Sequence, residues 1–191
     1  MEHKGYPVKN FLSAALFEKW LAQNYDKEAG IWLQFAKKGT GVSTVSYPEA
    51  VLIALCYGWI DGLTNKFDDT FWIVKFTPRG PKSIWSKRNR GFVEDLIKQG
   101  KMKAPGLEKV EAAKKDGRWD QAYDSPKDMH VPQDFVEALE KNPKAFAFYQ
   151  TLNRTNTYAI AFRLNTAKKP ETRERRMKVL LEMMAQEKKI Y

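Results

Sequence analysis

The segment from Thr77 to Asn89 holds the densest group of side chains that could do chemistry. It runs into a predicted helix, and the free N–H groups at a helix N-terminus favour anions. Arg79 could grip a phosphate or carboxylate with its forked guanidinium, and Trp85 could stack on an aromatic ring. We therefore predict an anion-binding site made of Thr77, Arg79, Lys82, Ser83, Trp85 and Ser86. The alternative is structural: the serines only cap the helix, and Trp85 only anchors the turn to the core.

Asp61 is the candidate catalytic residue, because it is a lone carboxylate in the apolar string Gly58-Trp59-Ile60-Asp61-Gly62. A carboxylate in such surroundings needs a partner or a shifted pKa. Arg79 is one available partner. The pair is then either structural or, in a small enzyme acting on a phosphorylated or carboxylated substrate, an acid–base group beside an anion clamp.

A third group, the basic patch of Arg173, Arg175 and Arg176, falls in the first turns of the last predicted helix. Cations there oppose the helix dipole, and each one destabilises the helix by about 0.3 kcal/mol. That cost indicates a compensating partner. Within the chain, the partner is either the neighbouring Glu171 and Glu174 or the acid-rich region 104–150. Outside the chain, it is nucleic acid or another acidic macromolecule.

The net charge of +10 is unevenly distributed, because residues 75–103 carry +7 and residues 151–191 carry +6, whereas the rest of the chain carries −3. Positively charged patches concentrate anions, which favours an anionic small molecule or an acidic macromolecule as partner. Weak, non-specific nucleic-acid binding is a further alternative, although the chain carries no helix-turn-helix, RRM or zinc-finger motif. Of these hypotheses for function, we favour a binding protein over an enzyme.

Composition excludes several classes of protein. One cysteine rules out a disulfide scaffold and a cysteine-rich zinc site, and two distant histidines argue against a histidine-built metal centre. We therefore predict no metal. We also predict no cofactor, because the glycine-rich nucleotide cradles are missing. The G-x-S-x-G nucleophile elbow is missing as well. The chain shows neither an export segment nor a run apolar enough for a membrane span, so we expect a cytoplasmic protein.

Hydrophobic spacing predicts the elements that would position these residues. Strands are expected at 30–36, 42–45 and 70–77, with a buried helix from Ser46 to Cys56 that starts at a capping box. From about 130 onward the pattern is helical, and the last helix carries a stripe of Met177, Leu180, Leu181 and Met184. We predict an α+β fold with a small, mainly antiparallel sheet, followed by a helical C-terminal unit.

Short strings at six places stand in order along the chain: Leu55-Cys56-Tyr57-Gly58-Trp59-Ile60-Asp61-Gly62, Phe76-Thr77-Pro78-Arg79, Pro81-Lys82-Ser83-Ile84-Trp85-Ser86-Lys87, Gly100-Lys101-Met102, Gly117-Arg118-Trp119 and Glu171-Thr172-Arg173-Glu174-Arg175-Arg176. Together they resemble the YdeI/OmpD-associated, or bacteriocin-protection, family over about Phe11 to Lys188. The resemblance implies a bacterial protein that takes part in protection against stress or against bacteriocins. It divides the chain into an α+β unit at 1–120 and the family's helical unit at 130–191, and it supplies neither catalytic residues nor a cofactor.

Overall fold

A computed structural model describes residues 1–125 and 128–191. They form two compact units, Met1–Ala122 and Tyr123–Tyr191. The first unit contains the strands β1 (Glu2–His3), β2 (Tyr6–Lys9), β3 (Ile31–Ala36), β4 (Trp59–Lys66) and β5 (Phe71–Pro78). Its helices are α1 (Ala14–Asn24), α2 (Tyr47–Cys56), α3 (Lys87–Lys98) and α4 (Ala104–Lys115). The second unit contains the helices α5 (Gln133–Glu140), α6 (Pro143–Gln150), α7 (Arg154–Asn165) and α8 (Pro170–Ala185).

The five strands form one sheet in the order β1-β2-β3-β5-β4. Every neighbouring pair is antiparallel except β2 with β3. The α+β class, with a mainly antiparallel sheet and a helical C-terminal part, is therefore confirmed. Strand β3 pairs with β5 along its whole length, and its alternate residues Ile31, Leu33 and Phe35 enter the main core.

The sheet is strongly curled. His3 in β1 and Asn65 in β4 belong to the two outermost strands, yet Nε2 of His3 lies 3.3 Å from Nδ2 of Asn65. The His3 ring also packs edge-on against Trp32 in the middle of the sheet, at a centroid distance of 4.9 Å. These contacts require the sheet to fold over the face that carries Trp32.

Helix α2 begins where its capping box places it. The hydroxyl of Ser46 accepts the backbone N–H of Glu49, and the Glu49 carboxylate accepts the backbone N–H of Ser46. The end of α2 lies against the first turn of α4, where the backbone N–H of Lys103 donates to the carbonyl of Cys56 at 3.2 Å. Gly106 makes this approach possible, because an added Cβ would lie only 2.2 Å from the same carbonyl oxygen.

Four elements differ from the sequence-based expectation. Strands β1, β2 and β4 were not predicted, and the strand expected at 42–45 is absent from the described fold. Strand β1 is only two residues long, and β2 is four, so neither gives a clear alternating pattern. In the segment 42–45 the backbone N–H of Val45 bonds to the carbonyl of Phe11, but no sheet ladder forms.

The helical unit has its own core, which includes Phe135, Leu139, Ile160, Leu180 and Met184. The predicted stripe on α8 accounts for part of it, with two of its four members fully buried and two partly buried. Asn156 closes the unit at its C-terminus. Its side-chain oxygen accepts the backbone N–H groups of both Ile190 and Tyr191, at 2.9 and 3.1 Å.

Candidate functional site

Arg79 lies inside the turn between β5 and α3 and is only 2% exposed. Its guanidinium carbon sits 3.6 Å from the ring centroid of Trp85, which is equally buried. One of its terminal nitrogens donates to the carbonyl of Ile84 at 3.0 Å, and its backbone N–H donates to the carbonyl of Gly58. Arg79 and Trp85 therefore form the buried base of the turn and stabilise its conformation.

A second buried arginine, Arg118, supports the same turn. Its Nη1 donates to the carbonyl of Ser83 at 2.9 Å, and its Nε donates to the carboxylate of Asp116 at 2.7 Å. The neighbouring Trp119 packs edge-on against Trp85, with ring centroids 4.9 Å apart. The string Gly117-Arg118-Trp119 was visible in the sequence, but nothing in its local pattern indicated contact with a turn 35 residues earlier.

The remaining residues of the predicted anion site have different environments. Thr77 is half-buried on β5 and pairs with Ile60 of β4, whereas Lys82 is exposed. The hydroxyl of Ser86 caps α3 by accepting the backbone N–H of Asn89 at 3.1 Å. The rim of the turn is cationic, because Lys82 is joined there by Lys87 and Arg88, both of which are exposed.

Asp61 has a tyrosine partner rather than the arginine that the sequence suggested. Its Oδ2 accepts the hydroxyl of Tyr47 at 2.5 Å, which joins β4 to the first residue of α2. Burial and then this hydrogen bond raise the pKa of Tyr47 above its ordinary value, and nearby Arg88 opposes the rise. Asp61 and Arg79, proposed from sequence as a catalytic pair, thus make their described contacts with different partners.

Removing the Tyr47 hydroxyl should change the response of stability to alkaline pH. Because the folded state raises the tyrosine pKa, its contribution is present below about pH 10 and is lost as the pH rises further. We expect Tyr47→Phe to destabilise the neutral protein by about 1 kcal/mol, a discounted value for a half-buried charge-assisted bond. Above about pH 10, the variant should lose less stability than the wild type.

The measurement is urea unfolding at neutral and alkaline pH, with Asp61→Ala as the matched partner. Tyr47→Phe removes the donor of the hydrogen bond and Asp61→Ala removes its acceptor, so the double variant should cost little more than either one. Additive costs, or an unchanged alkaline slope in Tyr47→Phe, would show that the bond does not contribute.

The basic patch lies beside a groove between α7 and α8. The groove has a volume of about 340 Å³. It is lined by three arginines, three apolar side chains and one threonine: Arg163, Arg175, Arg176, Phe162, Val179, Leu180 and Thr166. Of the three arginines in the predicted patch, Arg175 and Arg176 line the groove and Arg173 does not.

Each arginine of the patch has a distinct setting. Arg173 binds Asp134 through two nitrogens, each 2.8 Å from a carboxylate oxygen, which lowers the pKa of Asp134 and raises that of Arg173. Arg176 donates through Nη1 to the carbonyl of Arg163 at 2.7 Å, near the end of α7. Arg175 is exposed. Within the described residues, no carboxylate lies within ion-pair distance of the three groove arginines.

Cys56 is buried at the end of α2. Burial, and secondarily the nearby carboxylate of Glu18, raises the pKa of its thiol to about 11, so the thiol is neutral at physiological pH. In residues 1–125 and 128–191, no cluster of three or more His, Cys, Asp or Glu side chains could hold a metal ion. The helices of the described ranges include none that is long and apolar enough to cross a membrane.

Comparison with known protein families divides the chain at similar positions. Residues 9–109, more than half of the chain, match a domain of unknown function (DUF8412). The chain belongs to this family. The DUF8412 match contains the whole turn from Thr77 to Asn89, together with Asp61 and its partner Tyr47.

Residues 128–187 match a second family, described as bacteriocin-protection, YdeI or OmpD-associated. The family predicted from the sequence strings is thereby confirmed for this part of the chain, which contains α5 to α8. At the family level, this match indicates a function related to bacteriocin protection. The earlier strings, from Leu55 to Met102, lie within the DUF8412 match instead, so the resemblance covers less of the chain than expected. No curated protein and no solved structure gives a significant match.

Proposed function

We propose that the helical unit binds an anion carrying an apolar group in the groove between α7 and α8, and that this binding serves the protein's role in bacteriocin protection. The observation that carries the proposal is the lining of the groove. Three arginines line the same cavity as Phe162, Val179 and Leu180. The cytoplasm remains the proposed location.

The charges favour an anion over a neutral ligand. Asp134 already neutralises Arg173, whereas Arg163, Arg175 and Arg176 have no carboxylate partner among the described residues. Guanidinium groups bind phosphate and carboxylate through parallel hydrogen bonds. A bound anion would also relieve the unfavourable position of Arg175 in an early turn of α8, where cations oppose the helix dipole.

The apolar lining defines the rest of the ligand. Val179 is 49% exposed, and Phe162 is partly buried beside the arginines. Covering these side chains would remove apolar surface from water, at about 25 cal/mol for each Å². A small organic phosphate or carboxylate should therefore bind better than inorganic phosphate, which offers no apolar part.

Calorimetric titration of the full chain with phenyl phosphate, inorganic phosphate and phenol tests this proposal. Phenyl phosphate should bind most tightly, and Arg175→Gln should weaken it at least tenfold, or about 1.4 kcal/mol. Arg173→Gln is the matched control, because Asp134 holds the Arg173 side chain. The affinity of this variant for phenyl phosphate should stay within about twofold of the wild-type value. An unchanged affinity in Arg175→Gln would contradict the proposal.

The nucleic-acid alternative predicts a different pattern. Duplex DNA should then bind with a log K that falls by about 0.9 per log unit of salt for each phosphate contact. Each exposed arginine would then contribute to DNA binding to a similar extent, whether or not it lines the groove. Strong, salt-dependent DNA binding without a response to phenyl phosphate would therefore favour that alternative.

The rim of the β5–α3 turn is a second candidate anion site. Helix α3 has no acidic residue in its first turn, and Lys82, Lys87 and Arg88 are exposed around it. Arg79 and Trp85 support this rim from below rather than gripping the ligand themselves. We expect Arg88→Gln to weaken phosphate binding at this turn and to leave phenyl phosphate binding in the α7–α8 groove unchanged.

A further inference from the structure

A pocket of about 510 Å³ lies in the first unit, between the loop at 37–46 and the ends of β3, α2 and β5. It is separate from the groove proposed above and from the β5–α3 turn. Its volume falls within the range of about 300–1,000 Å³ that small-molecule sites occupy. The pocket combines an aromatic floor with a polar, cationic loop.

Three aromatic rings form the floor. The ring centroid of Phe35 lies 4.9 Å from that of Trp72 and 5.8 Å from that of Tyr47, and Tyr47 and Trp72 are 5.7 Å apart. Phe35 is fully buried, whereas Tyr47 and Trp72 are only partly buried. Because the rings pack directly against one another, they leave no space for a ligand between them and instead present a surface on which a planar group can lie.

The floor is held in place before any ligand arrives. The hydroxyl of Tyr47 is fixed by its 2.5 Å bond to Asp61 of β4. Trp72 belongs to β5, where it pairs with Phe35 on one side and with Lys66 on the other. A preorganised aromatic surface binds a flat ligand with a smaller loss of conformational entropy than a mobile one.

The loop wall supplies positive charge and hydroxyl groups. Lys38 is exposed at the pocket, whereas Lys37 is engaged through its ammonium with the carbonyl of Asp68 at 2.6 Å. Ser43 also lines the pocket. Gly39 has a φ of +87°, and a Cβ built there would meet nothing within 4 Å, so the loop is open beside Lys38.

We propose that this pocket binds a planar aromatic molecule carrying an acidic substituent, with the ring on Tyr47 and Trp72 and the anion against Lys38. The two lysines disfavour an aromatic cation, which a purely aromatic surface would accept. Aromatic carboxylates and nucleoside monophosphates share this chemistry. They differ in the size of the planar group and in the distance from ring to anion.

The test is titration of the full chain with indole-3-acetate and with adenosine 5′-monophosphate, compared with uncharged indole and adenosine. At least one of the acids should bind at least tenfold more tightly than its uncharged counterpart, and the better acid identifies the ligand source. The backbone amide signals of Gly39 and Gly41 should shift on binding, as followed by NMR. If neither acid binds at millimolar concentration, or each acid binds no better than its neutral form, the proposal is overturned.

Two variants and a control locate the binding. Trp72→Leu should weaken the better acid at least tenfold, and Lys38→Gln should weaken it about threefold or more. Because Trp72 packs on Phe35 and its loss could disturb folding, the exposed Lys38 provides the decisive variant. Lys115 on α4 is likewise exposed, and Lys115→Gln should bind the acid as the wild type does. Equal affinity in Lys38→Gln and the wild type would overturn the proposal.

Discussion

Replacing Gly106 with alanine should lower the free energy of unfolding by about 3 kcal/mol, the upper end of the usual cost of overpacking. The added Cβ would lie 2.2 Å from the carbonyl oxygen of Cys56 and 2.8 Å from that of Leu55. Both atoms belong to the backbone of α2, so no side-chain rotation can relieve the overlap. Helices α2 and α4 would have to separate, which disturbs the core around buried Val110 and Ala113.

Urea unfolding followed by circular dichroism measures this loss, and Gly91→Ala is the matched control. Gly91 lies within α3 without a positive φ, and an added Cβ would meet nothing within 4 Å. Alanine there should raise the free energy of unfolding by about 0.5–1 kcal/mol, because glycine weakens a helix interior. Similar stabilities for Gly106→Ala and the wild type would mean that the α2–α4 approach is looser than described.

Arg79→Ala should destabilise the protein by about 3 kcal/mol, within the range for truncating a large buried side chain. The substitution removes the guanidinium stacked on Trp85 and the hydrogen bond to the carbonyl of Ile84. It also leaves a space beneath the turn that the surrounding residues cannot readily fill. The shape of the turn, and hence the position of its cationic rim, depends on this side chain together with Trp85 and Arg118.

Lys82→Ala in the same turn is the control for Arg79→Ala. Lys82 is exposed, so its loss should change the free energy of unfolding by less than about 0.5 kcal/mol. Thermal unfolding of both variants, together with phosphate binding, separates the two roles considered for Arg79. A stable Arg79→Ala protein that no longer binds phosphate would restore Arg79 as a direct anion clamp.

Local sequence signals predicted the parts of the fold that depend on local physics. The capping box at Ser46 and Glu49 placed the start of α2 within one residue, because its hydrogen bonds join residues three apart. The alternation in Ile31–Ala36 predicted a strand with one face in the core, and β3 is that strand. The stripe on α8 likewise predicted which of its faces is buried.

Contacts between distant residues could not be read in the same way. Asp61 binds Tyr47 because β4 begins directly after α2 and lies against it, and no spacing rule connects the two positions. The position of Arg118 beneath Ser83 depends on how α4 returns to the turn. The sequence indicated Arg79 as a candidate anion-binding residue. It did not predict that Arg79 is buried and that its described contacts are with other residues of the fold.

The outermost strand β4 has a consequence for behaviour at high protein concentration. A continuous free strand edge can recruit a strand from a second molecule and start an extended intermolecular sheet. Here the ladder is interrupted between Asp61 and Thr64, and the far end carries the exposed charge of Lys66. The opposite edge, β1, is only two residues long. The folded protein should therefore resist fibril growth, and aggregation should begin only from chains that have already lost the sheet.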